Sequence, residues 1–487
     1  MLLALDIGTG SVRAGLVDGR GRVLARAARS HATHLPRHGW VEQAPADWWA
    51  GTVAVVRQVL AETGRTVSAV VACGQMHAPV LLDRSGAVVQ ARVPLWNDKR
   101  AAAEVAALQA QPLPGAVNPP TTAWPGIKLN WLARHDPAAL ARAATLLMPK
   151  DYINFRLTGA RAMDWSEAGS SFLSDPAARN WSPVMAARLQ VPEALLPPLL
   201  RSDLVLGPVT DAAAAETGLP AGTPVLVGAG DFPCALLGAG LSEPGEVCDV
   251  TGTSFLLTRV VAEPVRHPQV MNVALPLRHW GAFAVVDAAG DAVRWAARSL
   301  DRDRSGLEAL TAEATAVAPG SDGLMFLPYL TGERLGAGVA SKAGFVGLTA
   351  GHGPAHLQRA VLEGVVLAMA EAFAPVIAAT GPPDRIIATA GGARSAVWLQ
   401  IKADVFGVPV IPTEEAECGL IGAAVLGHAA LGRFASPEEA ARAMVRHRPP
   451  VLPRPEHRPR HEALVARFAR IRRLMAAVNQ TLSETLP

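Results

Sequence analysis

At 487 residues with 50% apolar side chains, the chain is longer than a single hydrophobic core usually grows, so two large domains are expected. Its 45 basic and 42 acidic residues leave a net charge of only +3, which gives neither nucleic acid nor an anionic membrane a reason to bind. Cys73, Cys234, Cys248 and Cys418 are scattered without a CxxC pair. That pattern predicts reduced thiols, a cytoplasmic setting and no cysteine metal site.

The N-terminal run MLLALDIGTG lacks a basic lead and contains Asp6, unlike a signal peptide. No uncharged apolar stretch of about 18 residues predicts a membrane span. LLALDIG and VRAGLVD read as strands joined by a glycine turn, DWWAGTVAVVRQVLAE has helical spacing, and VSAVVACG returns to a buried strand. This alternation predicts an α/β fold with largely buried strands. The stretch GAGDFPCALLGAG, residues 228–240, carries one charge, Asp231. An Asp ahead of a proline-started helix reads as an N-cap, and a lone carboxylate in apolar surroundings also suits acid–base chemistry.

LSEPGEV, residues 241–247, is the turn-rich break that separates a domain over 1–241 from one over 246–487. The second half opens as the first does: residues 6–11 read DIGTGS and residues 249–254 read DVTGTS. Two related domains facing a shared cleft follow from that parallel. Further on, Leu357, Val361, Val365, Ala368 and Ala372 recur on one helical face. RIIATAGGARSAVWLQIKADVFGVPV then reads strand, glycine turn, helix and return strand. The basic segment HEALVARFARIRRLM reads as a solvated helix on its own domain.

Glycine turns after buried strands bring backbone N–H groups close to anionic oxygens. Gly8-Thr9-Gly10-Ser11, Gly252-Thr253-Ser254 and Gly391-Gly392-Ala393 are three such turns. Each alone reads as a tight turn; together, with Asp6 beside the first, they point to a nucleotide and to Mg²⁺, which prefers few carboxylates plus phosphates and waters. No GxxxxGK[ST] and no strand-borne GxGxxG occurs, so the holder is neither a P-loop nor a Rossmann unit.

The DxGTxSxR opening (Asp6, Gly8, Thr9, Ser11, Arg13) resembles the first phosphate hairpin of actin-like sugar kinases. GFVGLTAGHGPAHLQRAVLEG resembles the C-terminal signature of the FGGY carbohydrate kinases. GQMH, LWNDKR, LMPKDYI, FLPYLTGER and AGGARSAVWLQIKAD are most similar to the xylulokinase branch, in the expected order. The resemblance implies two actin-like (ribonuclease-H-like) domains with ATP and a sugar or polyol in the cleft, and it allows a homodimer. It implies that Gly8, Thr9, Ser11, Arg13, Gly252 and Thr253 cradle phosphates, and that Gly290, Gly391, Gly392 and Ala393 line the nucleoside site. It implies sugar contacts from Met76, His77, Trp96, Asp98 and Phe232, Asp231 as catalytic base, and Mg²⁺ at Asp6 and Asp231.

Asp98 with Arg100 carries two readings, an ion pair or a sugar contact, whereas Lys150 and Asp151 read as structural. Two features depart from xylulokinases. Phe232 stands where they carry Asn, and LGAGVASKAG after Arg334 lacks their proline and asparagines. Both leave D-xylulose open as the substrate. The alternatives are a kinase for ribulose, erythritol, gluconate or a furanone, or a non-catalytic sugar or nucleotide sensor.

Overall fold

The computed structural model of the protein describes residues 1–111, 113, 115–300, 306–333 and 341–483. Arg334 and residues 335–340 of LGAGVASKAG lie outside the described residues. The first sheet is built from β1 (Leu2–Ile7), β2 (Ser11–Val17), β3 (Val23–Ser30), β4 (Ala69–Gly74), β5 (Val205–Pro208) and β6 (Pro224–Gly230). Its order is β5-β6-β4-β1-β2-β3, antiparallel from β1 to β3 and parallel across β1, β4 and β6.

All of β1 is buried because both sheet faces are covered. The two-residue side-chain period divides it. Leu3, Leu5 and Ile7 pack with Trp48, Val55 and Val59 of α1 (Pro45–Thr63), while Leu2 and Ala4 pack with helix residues 420–426. Asp6 shares the second face.

The second sheet comprises β7 (Val247–Thr251), β8 (Phe255–Val261), β9 (Met271–Ala274), β10 (Trp280–Val286), β11 (Ile386–Thr389) and β12 (Val410–Pro412). Its order, β9-β10-β8-β7-β11-β12, repeats five strands of the first plan; β9 at one edge here and β5 at the other edge there have no counterpart. β7 pairs antiparallel with β8 and parallel with β11, as β1 does with β2 and β4. Asp6 and Asp249 therefore sit on corresponding central strands.

Five helices complete the frame around the cleft: α2 (Asp231–Gly238), α3 (Gly290–Leu300), α4 (Pro354–Thr380), α5 (Ala396–Phe406) and α6 (Cys418–Ala430). The expectation of one apolar face on α4 was too narrow. Residues 358–369 are all buried, because the helix runs between the second sheet, α5 and the C-terminal helix α7 (Arg458–Leu482). α4 is long and apolar enough to cross a membrane, and 67% of its most apolar window is buried inside the protein. α7 packs on α4 and α5 through His461, Leu464 and Phe468, as the basic segment predicted.

α2 and α6 cross backbone against backbone. A Cβ on Gly238 would stand 1.9 Å from the Cys418 carbonyl oxygen, and one on Gly422 would stand 1.9 Å from that of Cys234. α6 follows the second sheet in sequence but packs on β1 and β4 of the first, so this crossing ties the halves together.

Candidate active site

A cavity of about 390 Å³ opens between the two sheets. It brings together Asp6, Thr9, Arg13, Met76, His77, Trp96, Asp231 and Phe232 of the residues singled out from the sequence. Each comes from a strand end or the turn after it. β1 delivers Asp6, and the β1–β2 turn closes by Gly8 N–H donating to the Ser11 carbonyl at 3.0 Å. Trp96 donates its indole N–H to Thr9 Oγ1 at 3.2 Å, which ties the LWNDKR loop to that turn.

Asp231 begins α2 directly after β6. The N-cap expectation needs correction: Gly230 takes the cap position and Asp231 the first helical one. The Asp231 carboxylate accepts the adjacent Phe232 N–H at 2.6 Å. Behind it, Gly230 N–H donates to Ser166 Oγ at 2.9 Å, and that hydroxyl donates to Asp164 at 2.6 Å. Asp164 in turn meets the fully buried Lys150 at 3.0 Å, and Lys150 also bonds Asp151. The structural reading of Lys150 and Asp151 thus has a location, a buried charge network under the strand that carries Asp231. Gly230 is required for space as well, since a Cβ there would lie 2.7 Å from Met76 Sδ.

Both aspartates are costly to ionise where they stand. Burial first, then the charge of Asp6, pushes the Asp231 pKa up to about 8. Burial likewise lifts Asp6 to about 6, although Arg13, 3.3 Å away, opposes the rise. Asp6 Oδ1 is buried without a hydrogen-bond partner. An orphan carboxylate oxygen beside a second carboxylate is a site that a divalent cation would relieve, so these residues fit Mg²⁺. Among the described residues no cluster of three or more His, Cys, Asp or Glu is arranged for a metal.

Asp249, the counterpart of Asp6, is closed off. Lys402 Nζ donates to Asp249 at 2.5 Å and to Thr251 Oγ1 at 3.0 Å, and both charged groups are 1% exposed. Gly391 and Gly392 sit against Thr251, where a Cβ on Gly392 would come 2.5 Å from the Thr251 Cβ. The Gly252–Ser254 turn closes by Gly252 N–H donating to the Ser254 carbonyl at 2.9 Å, and Thr253 O accepts Ala289 N–H at 2.9 Å. A Cβ on Gly290 would lie 2.2 Å from the Gly252 oxygen. Gly252, Thr253, Gly290, Gly391 and Gly392 therefore gather at one end of the second sheet. Of this region, Ser254, Thr389 and Ala390 reach the cavity lining.

Asp98 stands outside that lining. Its carboxylate holds Arg100 through Nε and an NH2 group, both at 2.8 Å, and accepts Val41 N–H at 2.7 Å. The guanidinium of Arg100 also reaches Glu42 at 2.7 Å and lies 3.8 Å over the Trp40 ring.

Residues 1–238 match the N-terminal domain of the FGGY family of carbohydrate kinases, and residues 249–431 match its C-terminal domain. The chain belongs to the FGGY family. It is a carbohydrate kinase, and kinases of this family use ATP. Escherichia coli (strain K12) xylulose kinase is 33% identical, over 84% of this chain and 85% of the relative. The L-xylulose/3-keto-L-gulonate kinase of the same strain is 30% identical, over 98% of this chain and 97% of that one. The crystal structure of xylulose kinase from Rhodospirillum rubrum superposes with a TM-score of 0.90 at 32% identity, covering 98% of this chain and 99% of that one.

Sequence reasoning missed several residues that shape the site of this FGGY kinase. Gln75, Trp124, Ser170 and Glu417 line the cavity. Lys128, buried in a helix with Ile127, Leu129 and Leu132, donates to the His77 carbonyl at 2.6 Å and to that of Ala123 at 2.9 Å; burial holds its pKa well below the usual lysine range. It fixes His77 in a left-handed backbone conformation at φ 70°, a costly state that persists only under such support. The lysine between Ile127 and Leu129 was the available signal. The left-handed Ala390, φ 62°, had none.

Proposed function

We propose that this FGGY kinase transfers the γ-phosphoryl group of ATP to a hydroxyl of a small ketose or polyol, in the manner of a xylulokinase, with Asp231 as general base. The observation that carries the reading is the placement of Asp231 and Asp6 in one cavity between the two glycine-turned strand pairs. In phosphoryl transfer the protein chiefly positions and neutralises, while a carboxylate takes the proton of the attacking hydroxyl. Asp231 suits that step: the buried network under Gly230 holds its backbone, and the Phe232 N–H orients its carboxylate. Burial and the charge of Asp6 push its pKa up to about 8, which makes the ionised carboxylate a stronger proton acceptor than a solvated one.

Mg²⁺ held by Asp6 and Asp231 would supply positive charge to the two carboxylates and to the phosphates. Gly8, Thr9, Ser11, Arg13, Gly252 and Thr253 would receive the phosphates, and Gly290 with Gly391 to Ala393 would receive the nucleoside. Met76, His77, Trp96 and Phe232 would meet the sugar. Asp98 would act at one remove, by fixing Arg100 and the loop that carries Trp96. The two units, 1–241 and 246–487, would close over the substrates and exclude the water that otherwise hydrolyses ATP.

The test is ADP formation with a panel of pentuloses, tetritols, hexuloses and sugar acids, for the wild type and Asp231→Ala. The wild type is expected to phosphorylate at least one compound 10²- to 10⁴-fold faster than the variant, the usual contribution of a positioned base. Equal rates across the whole panel would refute the kinase assignment of this site, and tight sugar binding without ADP would favour a sensor.

A further inference from the structure

We propose that the acceptor of this kinase carries a methyl or methylene group where a fully hydroxylated pentulose carries one of its hydroxyls. It is a deoxyketose or deoxypolyol, bound with its reduced end against Phe232. This rests on the kinase reading above and names the substrate class of that same site.

The first half of the chain lines the cavity with charged and polar groups, Asp6, Arg13, Gln75 and Asp231, beside the apolar Met76 and Trp124. The second sheet adds one apolar wall, next to Ser254 and Thr389, and strand register explains it. Met271 pairs with Phe283, Val273 follows two residues after Met271, Leu256 pairs with Val285, and Val250 pairs with Leu256. With a side-chain period of two, Val250, Leu256, Met271, Val273 and Phe283 all lie on one face, and all five line the cavity. Phe232 and Ala235 of α2 extend this wall, and Phe232 meets Phe283 edge-on, with ring centroids 5.4 Å apart at 68°.

Asn272 also lines the cavity, yet its amide is already used. Nδ2 donates to the Val117 carbonyl at 2.8 Å and to the Val265 carbonyl at 3.1 Å, and Oδ1 accepts Val265 N–H at 2.9 Å. That amide cannot replace a polar side chain missing at position 232. A sugar hydroxyl pressed on the Phe232–Phe283 wall gives up its water and finds no partner, while a methyl group there is favoured. Sites discriminate by one to two orders of magnitude or more on such grounds.

The experiment compares kcat/KM for two matched pairs with MgATP, D-xylulose against 1-deoxy-D-xylulose and D-ribulose against 1-deoxy-D-ribulose, in the wild type and in Phe232→Asn. The expected result is a wild-type preference for the deoxy member of at least one pair by about tenfold or more. In Phe232→Asn that preference falls or inverts, while the KM for ATP stays within about twofold, which separates a specificity role from general damage. Preference for the hydroxylated member in both pairs would overturn the proposal and leave the kinase reading intact. So would a deoxy preference that Phe232→Asn leaves unchanged. No turnover of either pair or of the wider panel would overturn the kinase reading, and this proposal with it.

Discussion

Replacing Lys402 with methionine isolates the difference between the two corresponding aspartates. Lys402 and Asp249 are each 1% exposed and bonded at 2.5 Å, with Thr251 Oγ1 shared between them. Methionine keeps much of the lysine volume and its contact with the Phe255 and Trp398 rings, which lie 4.8 and 4.7 Å from the ammonium, but leaves Asp249 charged and unpaired. Removing one partner of a buried ion pair costs about 3–5 kcal/mol. For a lobe of roughly 150–250 residues each kcal/mol moves the melting temperature by about 2–4 °C, so Lys402→Met should melt about 6–20 °C below wild type. Adding Asp249→Asn removes the stranded charge and keeps an acceptor for Thr251, and should restore most of the loss. The assay is thermal unfolding followed by circular dichroism at one scan rate. A single variant within about 2 °C of wild type, or a double variant less stable than the single one, would refute the account of that pair.

Gly290→Ala forces a Cβ to 2.2 Å from the Gly252 oxygen and should raise the KM for ATP about tenfold or more, with a smaller change for the sugar; unchanged ATP kinetics would remove this turn from the nucleotide site. Ser166→Ala strands the buried Gly230 N–H, a loss of about 1–3 kcal/mol, and should lower kcat more than it changes either KM. His428 is fully buried and held at a pKa of about 4 by desolvation and then by Arg433. The unfolded chain takes up its proton below about pH 6.5 and the native state resists until about 4, so stability is complete above pH 6.5 and declines as pH falls through that window. The drop reaches about 2 kcal/mol by pH 5, and urea midpoints should show a flatter acid limb for His428→Gln.

The fold was legible because its strands are buried on both faces and therefore read as apolar runs ended by glycine. LLALDIG, VSAVVACG and EVCDVTGTS each became a central strand with a turn at the cleft. What pattern could not show was which of two similar motifs stays open. DIGTGS and DVTGTS look alike, and only the distant Lys402, 153 residues from Asp249, neutralises one of them. The N-cap misreading of Asp231 has a local cause, because glycine at 230 was free to take the cap itself. α4 looked amphipathic because one stripe was followed, yet Gln358, Arg359 and Glu363 off that stripe are buried as well.

The glycine crossing of α2 and α6 sets how far the Asp231 carboxylate can travel. Gly238 lies seven residues from Asp231, about 10 Å along the helix at 1.5 Å per residue. If the lobes turn about the point where the two backbones touch, a rotation of about 10° displaces Asp231 by only about 2 Å relative to α6, because the lever arm is short. The rims of the cleft, several times farther from that axle, sweep proportionally more. Asp231 sits close to the fulcrum and the rims hang at the end of the beam.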